Sequence, residues 1–168
     1  MRLLDYLTRR NFLILSAMVS LSSLAFAYYA QYFFDIDPCI LCLYERYFYW
    51  GIALIGFVGF MWDHPLFFNL SGLILLGGGA LGLYHLGVEL HWWQGTAACH
   101  GIASGKARSI EELRAMLKSK PMARCDQANW HILGISATYL NLAWFLGFLG
   151  LWGGITLKSK SNLKKEKN

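Results

Sequence analysis

Apolar and polar residues along this chain fall into long blocks rather than short alternations. Residues 11–34, 65–88 and 132–157 contain no Asp, Glu, Lys or Arg. Each run exceeds the roughly 20 residues that an α-helix needs to cross a hydrocarbon core. A fourth run, 47–62, is shorter. It reaches spanning length only when extended back to Pro38, which admits Glu45 and Arg46. The pattern predicts an all-α membrane protein, a four-transmembrane-helix bundle with helices near 12–30, 43–62, 67–87 and 137–157. It predicts one integral membrane domain over 1–168, with a short first outer loop (31–42) and a long second one (88–136). Gly77, Gly78, Gly79 and Gly82 are expected to let helices approach closely, the usual role of small residues in membranes.

Composition agrees with the blocks. A hydrophobic fraction of 56% and a mean hydropathy of +0.38 exceed ordinary soluble usage. A net charge of +5 would point to nucleic acid in a soluble protein, but eight of the 15 Lys and Arg lie at the two termini. The positive-inside rule then predicts both termini in the cytoplasm and the outer loops across the membrane, with no nucleic-acid partner. Ala25-Phe26-Ala27 has the small-x-small look of a signal-peptide cleavage site, but the apolar run continues beyond it.

Chemistry concentrates in the outer loops. Cys39 and Cys42 form a Cys-x-x-Cys pair after Asp37-Pro38, a good N-cap followed by a residue favoured at the first helical position. Helix two is therefore expected to start there, with Cys39, Cys42 and Arg46 on one face. A helix N-terminus and a guanidinium one turn away both favour a thiolate. Taken alone, the pair reads first as a redox site, with a metal site next and buried core as the further alternative. Glu45, beside Arg46, reads as a structural partner or a helix-surface charge rather than a catalytic acid. His85 and Glu89, four apart near the outer end of helix three, are candidates for a ligand site inside a membrane.

Cys99 and Cys125 lie in the long loop, so all four cysteines share one side. Two disulfides fit, Cys39–Cys42 and Cys99–Cys125. The first would be a tight ring suited to exchange; the second, alone, could be purely structural. Between them, Ser109 and Glu112 form a capping box ahead of an amphipathic stretch, 109–118, read as a short surface or packed helix. His91, His100 and His131 lie near cysteines but match no zinc spacing.

The stretch Pro38-Cys39-Ile40-Leu41-Cys42-Leu43-Tyr44-Glu45-Arg46 resembles the signature of the DsbB family. These are bacterial membrane quinone oxidoreductases that reoxidise the periplasmic thiol oxidase DsbA. Cys125-Asp126-Gln127-Ala128-Asn129-Trp130-His131-Ile132-Leu133-Gly134 is similar to a second family pattern. The resemblance implies an inner-membrane protein-dithiol:quinone oxidoreductase with periplasmic redox loops. Its partners would be a DsbA-like thioredoxin-fold protein, membrane lipid and the quinone pool. It implies that Cys99 is attacked by the partner, that Cys125 exchanges with Cys39, and that Cys42 faces ubiquinone or menaquinone beside Arg46. It implies no metal, and leaves the quinone contact on helix three between His85 and Glu89. A DsbI-like paralogue serving a dedicated substrate oxidase would share these features. A scaffold stapled by disulfides would leave Arg46 unexplained.

Overall fold

The computed structural model describes residues 8–100, 109–111, 114, 123–128 and 130–166. Four long helices account for most of them: α1 (Arg9–Phe33), α2 (Ile40–Trp62), α3 (Pro65–Glu89) and α4 (Ala137–Glu166). Helix α2 packs against α1 and α3, and α3 packs against α4. By length and composition α1, α3 and α4 are apolar enough to cross a membrane. Helix α2 is the exception because Glu45, Arg46 and several Tyr and Trp residues dilute it. Its 23 residues still extend about 34 Å at 1.5 Å per residue.

Local chemistry sets the helix ends. Thr8 caps α1 by accepting from the Asn11 backbone N–H. His64 caps α3, accepting from Leu66 N–H, with Pro65 at the first position. Helix α2 differs from the sequence expectation. It begins at Ile40, and its N-cap is Cys39, whose sulfur accepts from the Cys42 N–H at 3.2 Å. Asp37 and Pro38 stay outside the helix. A sulfur in the capping position takes the role expected of the Asp37 carboxylate, two residues later, so the first cysteine is fixed by the helix it starts.

The core runs along the bundle axis through Phe12, Leu13, Ile52, Phe68, Leu75 and Phe145. Glycines permit the closest contacts. A Cβ at Gly78 would run into the Phe145 ring, and one at Gly72 into Trp152, so α3 and α4 meet through glycine faces. On the other side Gly56 and Gly59 of α2 lie against Leu13 and Ala17 of α1. At the basic end, Arg9 donates to Ser159 at 3.0 Å, which closes α1 onto α4.

The opposite end carries the loops. Helix α3 stops in a left-handed residue, His91 (φ 59°), with Trp92 N–H bonded back to the Gly87 carbonyl at 2.8 Å. The Trp93 ring lies on Gly87 and donates to the Tyr84 carbonyl at 3.0 Å. A 3₁₀ turn, Ala97–His100, follows. A small hairpin pairs β1 (His131–Ile132) with β2 (Ile135–Ser136) just before α4. Leu133 and Gly134 both have positive φ, 53° and 82°, the requirement of a type I′ turn. The expected helix over 109–118 falls mostly outside the described residues.

Candidate functional site: four thiols above a polar-edged cavity

The two cysteine pairs, 57 residues apart at their nearest members (Cys42 and Cys99), meet in one buried cluster. Cys39, Cys99 and Cys125 are fully or nearly fully buried, packed with Leu41 and Val88. Backbone contacts hold the loops together. Cys39 forms a parallel bridge with Ala123, and Cys125 N–H donates to the Cys99 carbonyl at 3.1 Å. Gly95 lies directly against Cys99 and Val88, where a side chain would not fit.

The sulfurs touch in a definite order. Cys99 contacts Cys125, Cys125 contacts Cys39, and Cys39 Sγ lies 2.6 Å from Cys42 Sγ. All four are unbridged thiols in this structure. Their proton affinities separate. The hydrogen bond from Cys39 lowers the Cys125 thiol to about 6 against the opposing effect of burial, helped by Cys99 and the Leu41 N–H. Burial pushes Cys99 up, and donation to Cys125 raises Cys39.

Below the sulfurs sits a residue that sequence reasoning misassigned. Glu45 is buried and pairs with His85 rather than with Arg46: His85 Nδ1 lies 3.0 Å from Glu45 Oε1. The other ring nitrogen, Nε2, lies 3.5 Å from Cys39 Sγ. As a carboxylate Glu45 only accepts, so Nδ1 carries the hydrogen. Nε2 then competes with the neighbouring sulfurs for the one hydrogen of the Cys39 thiol or, when protonated, donates to its thiolate. The signal in the sequence was the 40-residue separation of two ionisable groups in apolar helices, but nothing local says that they meet.

Arg46 turns the other way. Its guanidinium donates to Gln31 Oε1 at 2.7 Å and stacks 4.7 Å from the Tyr28 ring of α1. Its recorded contacts thus run to α1, although it lines the same cavity as Cys42. That cavity, about 320 Å³, lies between α1, α2, α3 and the start of α4. Apolar side chains such as Leu24, Phe26 and Ala27 form one wall, and Cys42, Arg46, His85 and Glu89 line it too. Glu89 accepts from Ser136 Oγ at 2.9 Å and so ties the hairpin to α3. Trp130 packs on Phe26 at 5.2 Å between ring centres. Two further donors were missed. Asn141 Nδ2 and Trp144 Nε1 are buried with no hydrogen-bond partner among the described residues, and both side chains line the cavity. His91 and His131 are exposed and stand apart from this group.

Residues 9–155 match the family described as Disulfide bond formation protein DsbB. An uncharacterized protein of Rickettsia prowazekii, RP370, is 30% identical over 165 residues, covering 95% of this chain and 96% of that one. Disulfide bond formation protein B of Hahella chejuensis is 27% identical, covering 88% and 93%. The protein of the same name from Burkholderia pseudomallei is 48% identical over 50 residues, 30% of each chain. With nearly the whole chain matched and its helices and cysteines arranged as above, the protein belongs to the DsbB family of disulfide bond formation membrane proteins.

Proposed function

We propose that this chain oxidises a DsbA-like periplasmic thioredoxin-fold protein and passes the electrons through its two cysteine pairs to a membrane quinone. Both termini would be cytoplasmic and the sulfur cluster periplasmic, in a bacterial inner membrane. The observation that carries this reading is the contact order Cys99, Cys125, Cys39, Cys42, ending at the cavity edge. A scaffold needs two staples; it does not need the two pairs in contact.

The thiol chemistry follows from that order. A partner thiolate attacks Cys99 of a Cys99–Cys125 disulfide, and Cys125 leaves as thiolate. The partner's second thiolate then cuts the mixed disulfide, so the partner is oxidised and Cys99 reduced. Cys125 attacks Cys39 of a Cys39–Cys42 disulfide and releases Cys42 as thiolate. Cys99 then attacks Cys125, which frees Cys39 and restores the upper disulfide. The two electrons now reside on Cys39 and Cys42. Cys99 is buried, so the loop around it must open for the partner to enter.

The cavity fits a quinone head group. Its walls are apolar, while Arg46, Asn141 and Trp144 offer N–H donors to carbonyl oxygens. A bound quinone supplies a sink for two electrons and two protons. His85, held by Glu45, stands where a proton leaves or joins Cys39, and Arg46 favours negative charge in the cavity.

The test is steady-state reduction of ubiquinone and menaquinone analogues by detergent-solubilised protein supplied with a reduced DsbA-type protein. Turnover that Cys99→Ser abolishes, and that Arg46→Ala weakens through a higher apparent quinone KM, is expected. Folded protein that turns over none of several quinones overturns the reading.

A further inference from the structure

Cys39, Cys42 and His85 bring three soft donors to one point. The two sulfurs and a ring nitrogen of His85 all lie within 4.8 Å of one another. A tetrahedral zinc ion bonds sulfur at about 2.3 Å and nitrogen at about 2.0 Å, which sets a sulfur–nitrogen edge of about 3.5 Å. The Cys39 Sγ to His85 Nε2 distance is 3.5 Å. The two sulfurs, 2.6 Å apart, would separate by about 1 Å to reach the sulfur–sulfur edge of the same tetrahedron. The second layer is also present. Glu45 accepts from His85 Nδ1 at 3.0 Å and leaves Nε2 turned to the sulfurs, the carboxylate–histidine arrangement that supports metal-bound imidazoles. A buried carboxylate also supplies negative charge next to a cation.

We propose that Cys39, Cys42 and His85 form a binding site for a thiophilic cation of the zinc class, open when the cysteine pair is reduced and closed when it is a disulfide. Coordination converts two thiols to thiolates and releases two protons, with no electron transferred. It occupies the same lone pairs that a disulfide would use. Bound metal therefore holds the relay in its reduced state and stops it reversibly. The residues of this site come from the start of α2 and the outer half of α3, so it needs no contribution from the long loop. The redox gate rests on the relay proposed above, whereas the site itself needs only the reduced pair. Failure of quinone turnover and failure of metal binding are therefore separate results.

The experiment uses the full-length protein in detergent, reduced with a phosphine, desalted under argon and titrated with zinc(II) against a chromophoric chelator. One zinc per chain is expected in the reduced protein and none after stoichiometric oxidation with diamide. Cobalt(II) in place of zinc should give tetrahedral d–d bands and thiolate charge-transfer absorption. His85→Ala should weaken zinc binding at least tenfold, and Glu45→Gln by about tenfold to a hundredfold, as for other residues that orient metal-binding histidines. Cys99→Ser should leave the stoichiometry at one. Folding of each variant is checked by its circular dichroism and its elution in gel filtration. Reduced, folded protein that binds no zinc overturns the proposal. So does binding that survives both His85→Ala and Cys42→Ser, which would place the ion elsewhere.

Discussion

Glu45 and His85 meet across the α2–α3 interface with their side chains almost wholly buried, 3.0 Å from oxygen to nitrogen. The pair links the second helix to the third at the level of the sulfurs. Removing Glu45 leaves His85 Nδ1 buried without its partner, a loss typically of about 3–5 kcal/mol for a buried ion pair. Glu45→Ala is therefore expected to destabilise the bundle by about 3 kcal/mol or more in a denaturing-detergent titration. Glu45→Gln keeps a carbonyl acceptor for Nδ1–H and should lose only about 1 kcal/mol. Equal losses in the two variants would mean that packing volume, not the hydrogen bond, is what Glu45 supplies.

The contact of Cys125 with Cys39 gives a pH signature. With the Cys125 thiol at about 6, roughly ten thiolates stand for every thiol at pH 7. In the fully reduced protein, lowering the pH through 6 protonates it. In reduced protein kept free of metal by a chelator, ultraviolet thiolate absorbance should show a step near pH 6. Cys125→Ser should remove that step. Cys39→Ala removes the donor that most lowers it and should move the step upward, towards the ordinary thiol range.

Much of the fold was legible in the sequence because membrane helices announce themselves through long charge-free runs. The Pro-Cys-x-x-Cys stretch also identified the start of α2, though not its cap. That failed because the helix starts two residues later, with the Cys39 sulfur capping the Cys42 N–H, and periodicity is blind to such local choices. The shared side of the four cysteines made a relay between the two pairs plausible, and the resemblance gave its order. No spacing rule brings residue 125 to residue 39 across a long loop. The partner of Glu45 was misread for a related reason. Arg46 is its neighbour in sequence, but adjacent helical residues point about 100° apart, so Arg46 reaches α1 while Glu45 reaches α3.

Gly78 makes the glycine run of α3 a sharp test of the packing. Its missing side chain is filled by the Phe145 ring of α4. Gly78→Ala forces that ring, itself fully buried, out of place and should cost about 1–3 kcal/mol. Gly147, with open space around it, accepts alanine with no such contact. A thermal-melting comparison of the two variants separates packing from the general effect of adding a methyl group to a helix. Pairing Gly78→Ala with Phe145→Leu should recover part of the loss.

Trp144 offers the cleanest variant for the cavity. Its Nε1–H is buried without a partner, at the wall of the space where a carbonyl-bearing ligand would sit. An unpaired buried donor is costly in the ligand-free protein, and pairing it on binding recovers that cost. Trp144→Phe removes the donor and keeps an aromatic ring. The ligand-free variant should therefore melt no lower through hydrogen bonding, although the smaller ring gives up some packing with Tyr49 and Phe148. The stabilisation gained on adding a quinone analogue should shrink, and the apparent quinone KM should rise about fivefold, the equivalent of roughly 1 kcal/mol. Asn141 needs a different substitution, because its oxygen already accepts from Tyr49 at 2.7 Å. Losing that acceptor would disturb α2 as well as the cavity. If Trp144→Phe leaves both the quinone-induced melting shift and the KM unchanged, the indole N–H does not face the bound ring, and the donors must be sought at Arg46 and Asn141 instead.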